Sequence, residues 1–69
     1  MNFSLQIKDI RQKCYLSQEM FAKELGVSFA TINRLESGKT KPSYKTLKSI
    51  ADFCQKNNIT FEYKENNQI

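Results

Sequence analysis

Residues 16–38, LSQEMFAKELGVSFATINRLESG, decide the fold, because they carry the same punctuation twice. Ser17 and Ser28 are each placed to cap a helix, their hydroxyls accepting from an orphan backbone N–H of the first turn. Leu16 and Phe21 bracket the first cap at hydrophobic-staple spacing, and Val27 and Ile32 bracket the second. Glu19 lies where its charge meets the positive end of the helix dipole. Gly26 and Gly38 follow the two helices at the position where a left-handed residue ends one, a conformation glycine adopts without a Cβ penalty. Two short helices joined by a tight turn are the result.

Two capped helices with a glycine between them make an αα-hairpin or a helix-turn-helix. The second is the informative one. At 100° per residue, Ile32 and Leu35 lie about 60° apart and define its buried direction. The opposite side then carries Ala30, Asn33, Arg34 and Ser37, with Phe29 and Thr31 on the flanks. A guanidinium, an amide and small apolar groups on one face can read base edges in a major groove, through bidentate Arg–guanine and Asn–adenine pairs and contact with a thymine methyl. The same residue types also make an ordinary solvated face.

Outward from the hairpin the pattern continues. Upstream, Ile7, Ile10 and Cys14 recur at i, i+3 and i+7 and predict a helix over about 4–14, capped by Ser4 or Asn2, with Asp9 and Lys13 paired on its outside. Tyr15 is a poor choice if that residue must be left-handed. The helix over 18–25 offers Met20, Phe21 and Leu25 to the core. Helices are expected over 29–37 and, after Pro42 and the cap Ser43, over 44–56, where Leu47, Ile50, Ala51 and Cys54 form the inward stripe with Phe53 at its edge. Glu36 lies at the edge of the buried side with no partner in its own helix. Arg11 is the expected counter-ion, clamping the first helix to the third and fixing geometry more than adding net stability.

Residues 59–64, ITFEYK, alternate apolar and polar, which is strand periodicity. A lone strand needs a partner edge, most simply from a second copy, which would make Ile59, Phe61 and Tyr63 a dimerisation element. The other reading is a tail lying flat with Ile59 and Phe61 tucked into the core. The expected organisation is therefore an all-α four-helix domain over 1–58 and a tail over 59–69 that is a strand or a short fifth helix.

Composition sets the limits. A chain of 69 residues is one small domain that buries only about 60% of its unfolded surface. No apolar run approaches the roughly 18 residues of a membrane span, and no signal-peptide pattern opens the chain, so a cytoplasmic location is expected. Histidine is absent, and Cys14 and Cys54 are the only cysteines. No metal or other cofactor is expected, and the two thiols read as small core residues. With no histidine, phosphate loop or nucleophile–base set, enzymatic chemistry is not expected. Net charge is +4, and Lys39, Lys41, Lys45 and Lys48 fall within ten residues free of acid. Such a segment is either a phosphate-binding surface or a solvated lysine face.

Over residues 16–51, LSQEMFAKELGVSFATINRLESGKTKPSYKTLKSIA, with IKDIRQK upstream, the chain resembles the lambda-repressor/Cro type of helix-turn-helix DNA-binding domain. The resemblance implies a compact four-helix fold whose third helix enters the major groove of double-stranded DNA, with dimers on two half-sites. By position it implies base contacts from Ser28, Phe29, Ala30, Asn33 and Arg34. It implies phosphate contacts from Gln18, which would also brace the reading helix, and from Lys39, Lys41, Tyr44 and Lys45. It also implies a first-helix cation paired with Glu36. Tyr15, where relatives often carry Gly or Asn, and the strand-like tail, where many continue into a fifth helix, depart from the pattern. The expected function is a homodimeric, sequence-specific transcriptional regulator, acting as a repressor. The alternative is an antitoxin or other interaction module whose tail strand pairs with a toxin or another partner protein.

Overall fold

The computed structural model describes residues 3–61. Four helices follow one another: α1 (Phe3–Lys13), α2 (Gln18–Leu25), α3 (Phe29–Glu36) and α4 (Tyr44–Lys56). The starts of the last three are set by serine hydroxyls. Ser17, Ser28 and Ser43 have extended backbones and accept from the N–H of Met20, Thr31 and Thr46 respectively. Helix α1 begins before Ser4, so that serine lies inside the helix and is not its cap, while Asn2 lies outside the described residues.

All four helices end in the same way. Among the described residues, those at positive φ are Tyr15, Gly26, Gly38 and Asn58. Directly after each, a backbone N–H reaches back five residues: Leu16 to Arg11 O, Val27 to Ala22 O, Lys39 to Arg34 O and Ile59 to Cys54 O, at 2.8–3.2 Å. This is the bond that closes a Schellman motif, and it satisfies a carbonyl the helix leaves orphaned. Glycine and asparagine tolerate the conformation, whereas Tyr15 holds it at φ 58° with a side chain 96% exposed. Tyr15→Gly is therefore expected to raise stability by about 0.5–1 kcal/mol in urea unfolding; a loss of stability would mean that the tyrosine side chain contributes more than its backbone costs.

The core lies where the helices converge. Ile7 and Ile10 of α1, Phe21, Ala22 and Leu25 of α2, Ile32 of α3, and Ile50, Phe53 and Cys54 of α4 form one buried cluster, with Leu35 also buried. Phe21 and Phe53 meet edge to face, ring centroids 5.3 Å apart at 76°. That contact corrects two inward assignments. With Phe53 turned in, α4 buries Thr46, Ile50, Phe53 and Cys54, which leaves Ala51 on the exposed side and Leu47 half-buried. In α2 the centre of the buried stripe falls between Phe21 and Leu25, so Met20, one residue before Phe21, points away and is exposed. Burial pushes the Cys54 thiol above its ordinary pKa, and neighbouring Cys14 adds to the shift, so the thiol stays protonated and inert.

The tail follows the flat reading as far as it is described. Residues 59–61 form no strand, and Ile59 and Phe61 pack against the chain's own core. Phe61 meets Phe3 edge to face at 6.5 Å. Alternation could not distinguish these outcomes, because an irregular segment with two apolar anchors two residues apart has the same pattern as a strand. Tyr63 and the rest of that stretch lie outside the described residues. Helix α1 covers Phe3–Lys13 where 4–14 was expected, and α3 stops at Glu36, with Ser37 as its C-cap. No helix among the described residues is long and apolar enough to cross a membrane.

Candidate nucleic-acid interface

Helix α3 presents one side to solvent. Phe29 is half-exposed, and Ala30, Asn33 and Arg34 are exposed along the face opposite buried Ile32 and Leu35. The polar side chains on it are not equally free. Ser28 is committed locally: its Oγ accepts from Thr31 N at 3.1 Å and bonds Thr31 Oγ1 at 2.9 Å. The Arg34 side chain makes no hydrogen bond or ion pair among the described residues, although its carbonyl accepts from Lys39 N and Ser37 Oγ. Asn33 donates through Nδ2 to Gln18 Oε1 at 3.3 Å.

Behind this face sits a charged brace. Arg11 Nε reaches Glu36 Oε2 at 2.6 Å and Arg11 Nη2 reaches Oε1 at 3.0 Å, a bidentate fork. The two side chains are 13% and 5% exposed. The fork ties α1 to the last turn of α3. The remaining guanidinium nitrogen, Nη1, donates to the Leu16 carbonyl at 2.9 Å, so the same arginine also anchors the turn that Tyr15 makes. Hydrogen bonding to Glu36 raises the Arg11 pKa above its ordinary value, with the carboxylate's charge adding to it and desolvation opposing it. Gln18, the first residue of α2, completes the brace by donating Nε2 to Glu36 Oε1 at 3.0 Å. Both ends of its amide are thus engaged within the chain, leaving one N–H for any outside acceptor.

Of the described lysines two are paired and six, Lys8, Lys23, Lys39, Lys41, Lys45 and Lys56, are exposed with no ion pair among the described residues. Lys48 meets Asp52 and Lys13 meets Asp9, each at 3.4 Å across one helical turn. Lys48 is accordingly withdrawn from the cluster in which its sequence position placed it, because the acid that answers it lies four residues further on, outside the ten-residue window. Lys39, Lys41 and Lys45 are exposed and form no ion pair among the described residues. Tyr44, at the start of α4 between these lysines, is exposed as well. The resemblance has Gln18 bracing the reading helix but does not name its partners, Asn33 and Glu36. The available signal was Gln18 itself, an amide at the first position of α2, one residue after its cap, facing a helix that carries an amide of its own.

Comparison with known proteins follows the same boundaries. A family model described as helix-turn-helix matches residues 7–57, from the middle of α1 through the end of α4. The chain is 40% identical over 55 residues to the type II methyltransferase M.SsoII of Shigella sonnei, covering 75% of this chain and 14% of that protein. It is 38% identical over 53 residues to the HTH-type transcriptional activator BcrR of Enterococcus faecalis, covering 77% of this chain and 26% of the activator. It is 44% identical over 45 residues to the ImmF control region 10 kDa protein of Bacillus phage phi105, covering 65% of this chain and 50% of the phage protein. The chain thus spans half or less of each relative's length. No solved structure matches it. The match from 7 to 57, on a hairpin with this geometry, places the chain in the helix-turn-helix family of the lambda-repressor/Cro type.

Proposed function

We propose that this chain is a sequence-specific, double-stranded DNA-binding transcriptional regulator that inserts α3 into the major groove. The observation that carries the reading is an exposed Arg34 on α3, followed by exposed Lys39, Lys41 and Lys45, none of whose side chains forms an ion pair among the described residues. Phosphate contacts supply affinity, and base-edge contacts supply discrimination. Phe29, Ala30, Asn33 and Arg34 face the bases, with Ser28 contributing only what its capping bonds leave over. Tyr44, through its hydroxyl, and Gln18, through its remaining N–H, join the lysines on the sugar-phosphate backbone.

The regulator works as a pair of copies. An eight-residue helix is about 12 Å long and passes only about four base pairs, too few to select a site, whereas two copies on half-sites a helical turn apart read twice as many. Ile59 and Phe61 already pack on their own core, so neither strand pairing through them nor a partner toxin forms part of this reading. Repression by occupancy needs nothing beyond binding and is the action proposed, although one relative bears the name of an activator. Catalysis is not proposed: the aligned stretch is 14% of the methyltransferase and carries the helical hairpin.

The phosphate surface is tested with Lys41→Ala. Affinity for preferred and random duplex should fall together, and the slope of log K against log salt should become shallower by about 1. An unchanged slope removes Lys41 from the surface and, with Lys39→Ala behaving likewise, removes the loop from the interface.

A further inference from the structure

Tyr15, in the turn between α1 and α2, occupies a position that its side chain makes costly. Among the described residues at positive φ it alone is neither glycine nor asparagine, and at φ 58° its Cβ crowds the following carbonyl. The turn does not need a tyrosine. Its bonds come from backbone groups and from Arg11: Tyr15 N–H donates to Gln12 O at 3.0 Å, Leu16 N–H to Arg11 O at 3.2 Å, and Arg11 Nη1 to Leu16 O. The phenol is almost wholly exposed and makes no hydrogen bond, ion pair or ring contact among the described residues. No free charge stands beside it in the chain, since the cations nearest in sequence, Lys13 and Arg11, answer Asp9 and Glu36. A backbone kept in a sparsely populated conformation, with nothing inside the fold drawing on the side chain, points outward to function.

We propose that Tyr15 is a further DNA-backbone contact, its hydroxyl donating to a phosphate oxygen on the strand that α2 crosses, at the edge of the groove α3 enters. The inference rests on α3 lying in the major groove. The start of α2 borders the exposed face of α3, where the Gln18 and Asn33 side chains are 3.3 Å apart. Tyr15 precedes Gln18 by three residues, a stretch that spans at most about 10 Å. The groove is about 12 Å wide, so a ring standing clear of that turn comes within reach of the phosphates that line it. Tyrosine suits the role, because a phenol donates to phosphate oxygens as the hydroxyls and amides of other side chains do. It carries no charge, so it neutralises no phosphate and releases no counterion. That sets it apart from Lys39, Lys41 and Lys45.

The test is a salt titration of duplex binding by the parent chain, Tyr15→Phe and Tyr15→Gly, with helical circular dichroism reporting that each is folded. Tyr15→Phe keeps the ring and lacks only the hydroxyl. It should bind preferred and random duplex alike about 3- to 10-fold more weakly per copy. The slope of log K against log salt should stay as it is in the parent, whereas removing a phosphate-bound lysine makes it shallower. Tyr15→Gly, whose backbone suits the turn, should bind at least as weakly as Tyr15→Phe, so that the loss cannot be put down to a damaged fold. Affinity within about twofold of the parent in either variant would overturn the inference, since a single hydrogen bond should be worth more. A loss confined to the preferred duplex, or a slope that shifts as for a lost lysine, would overturn it as well. A parent chain that binds no duplex even at low salt would instead overturn the DNA-binding reading beneath it.

Discussion

Replacing Arg11 with methionine is expected to destabilise the domain by about 3 kcal/mol, the lower end of the range for removing one partner of a buried pair. The variant strands the Glu36 carboxylate, 5% exposed, with Gln18 as its remaining donor. It also removes the donor that the Leu16 carbonyl accepts from. Stability of a chain this short is about 3–10 kcal/mol in all, so the variant should lose between about a third and the whole of it. Urea unfolding followed by helical circular dichroism reads the effect. Replacing both partners, Arg11→Met with Glu36→Leu, should recover a large part of the loss, because the desolvated charge disappears with its counter-ion. A single variant within about 0.5 kcal/mol of the parent would show that the fork contributes no net stability. Duplex selectivity in the double variant then shows whether the fork matters for orientation, since Gln18 will have lost the carboxylate that directs it.

Replacing Arg34 with alanine should leave the fold almost untouched and weaken binding to the preferred site by about 1–3 kcal/mol. The two effects separate because the bonds Arg34 makes among the described residues are backbone bonds: its carbonyl accepts from Lys39 N and Ser37 Oγ, and alanine keeps that carbonyl. Alanine is also the better helix former, so unfolding midpoints should move little. Titrations of preferred and random duplex at one salt concentration distinguish the roles. A bidentate base contact predicts a large loss on the preferred site, a small one on random duplex, and relaxed choice at one position. Equal losses on both would make Arg34 another phosphate contact.

The hairpin is legible in the sequence because its determinants are local. A serine cap, a staple pair and a glycine stop each act within five residues, so Ser17, Gly26, Ser28 and Gly38 announce α2 and α3 without knowledge of the rest of the chain. The orientation of each helix about its own axis is less legible. Met20 and Ala51 extend apolar stripes and so read as inward, yet they lie outward because the Phe21–Phe53 contact, 32 residues apart in sequence, decides the rotation. Tyr15 is a residue that its own backbone preference argues against and that Arg11, itself held by Glu36 of α3, helps hold in place through Nη1 on the next carbonyl. The tail is ambiguous for a physical reason too: period-two alternation describes any segment that buries every second side chain, whether on a strand edge or on its own core.

Within the reading face, sequence gives the residue types but not how each is engaged. Ser28 and Asn33 both read as available polar groups, yet one is held by its own cap and the other by Gln18. Arg34 stands apart from both. The exposed side chains of α3 therefore differ in how far they are already committed within the chain, which residue type alone does not reveal.

The account is tested most directly by selecting bound duplexes from a random pool at a stated salt concentration, with the parent and Arg34→Ala side by side. It predicts an enriched motif of two inverted half-sites about one helical turn apart, with a base pair in each half losing its preference in the variant. A pool that emerges unenriched from the parent, while the protein still binds duplex at low salt, would contradict it.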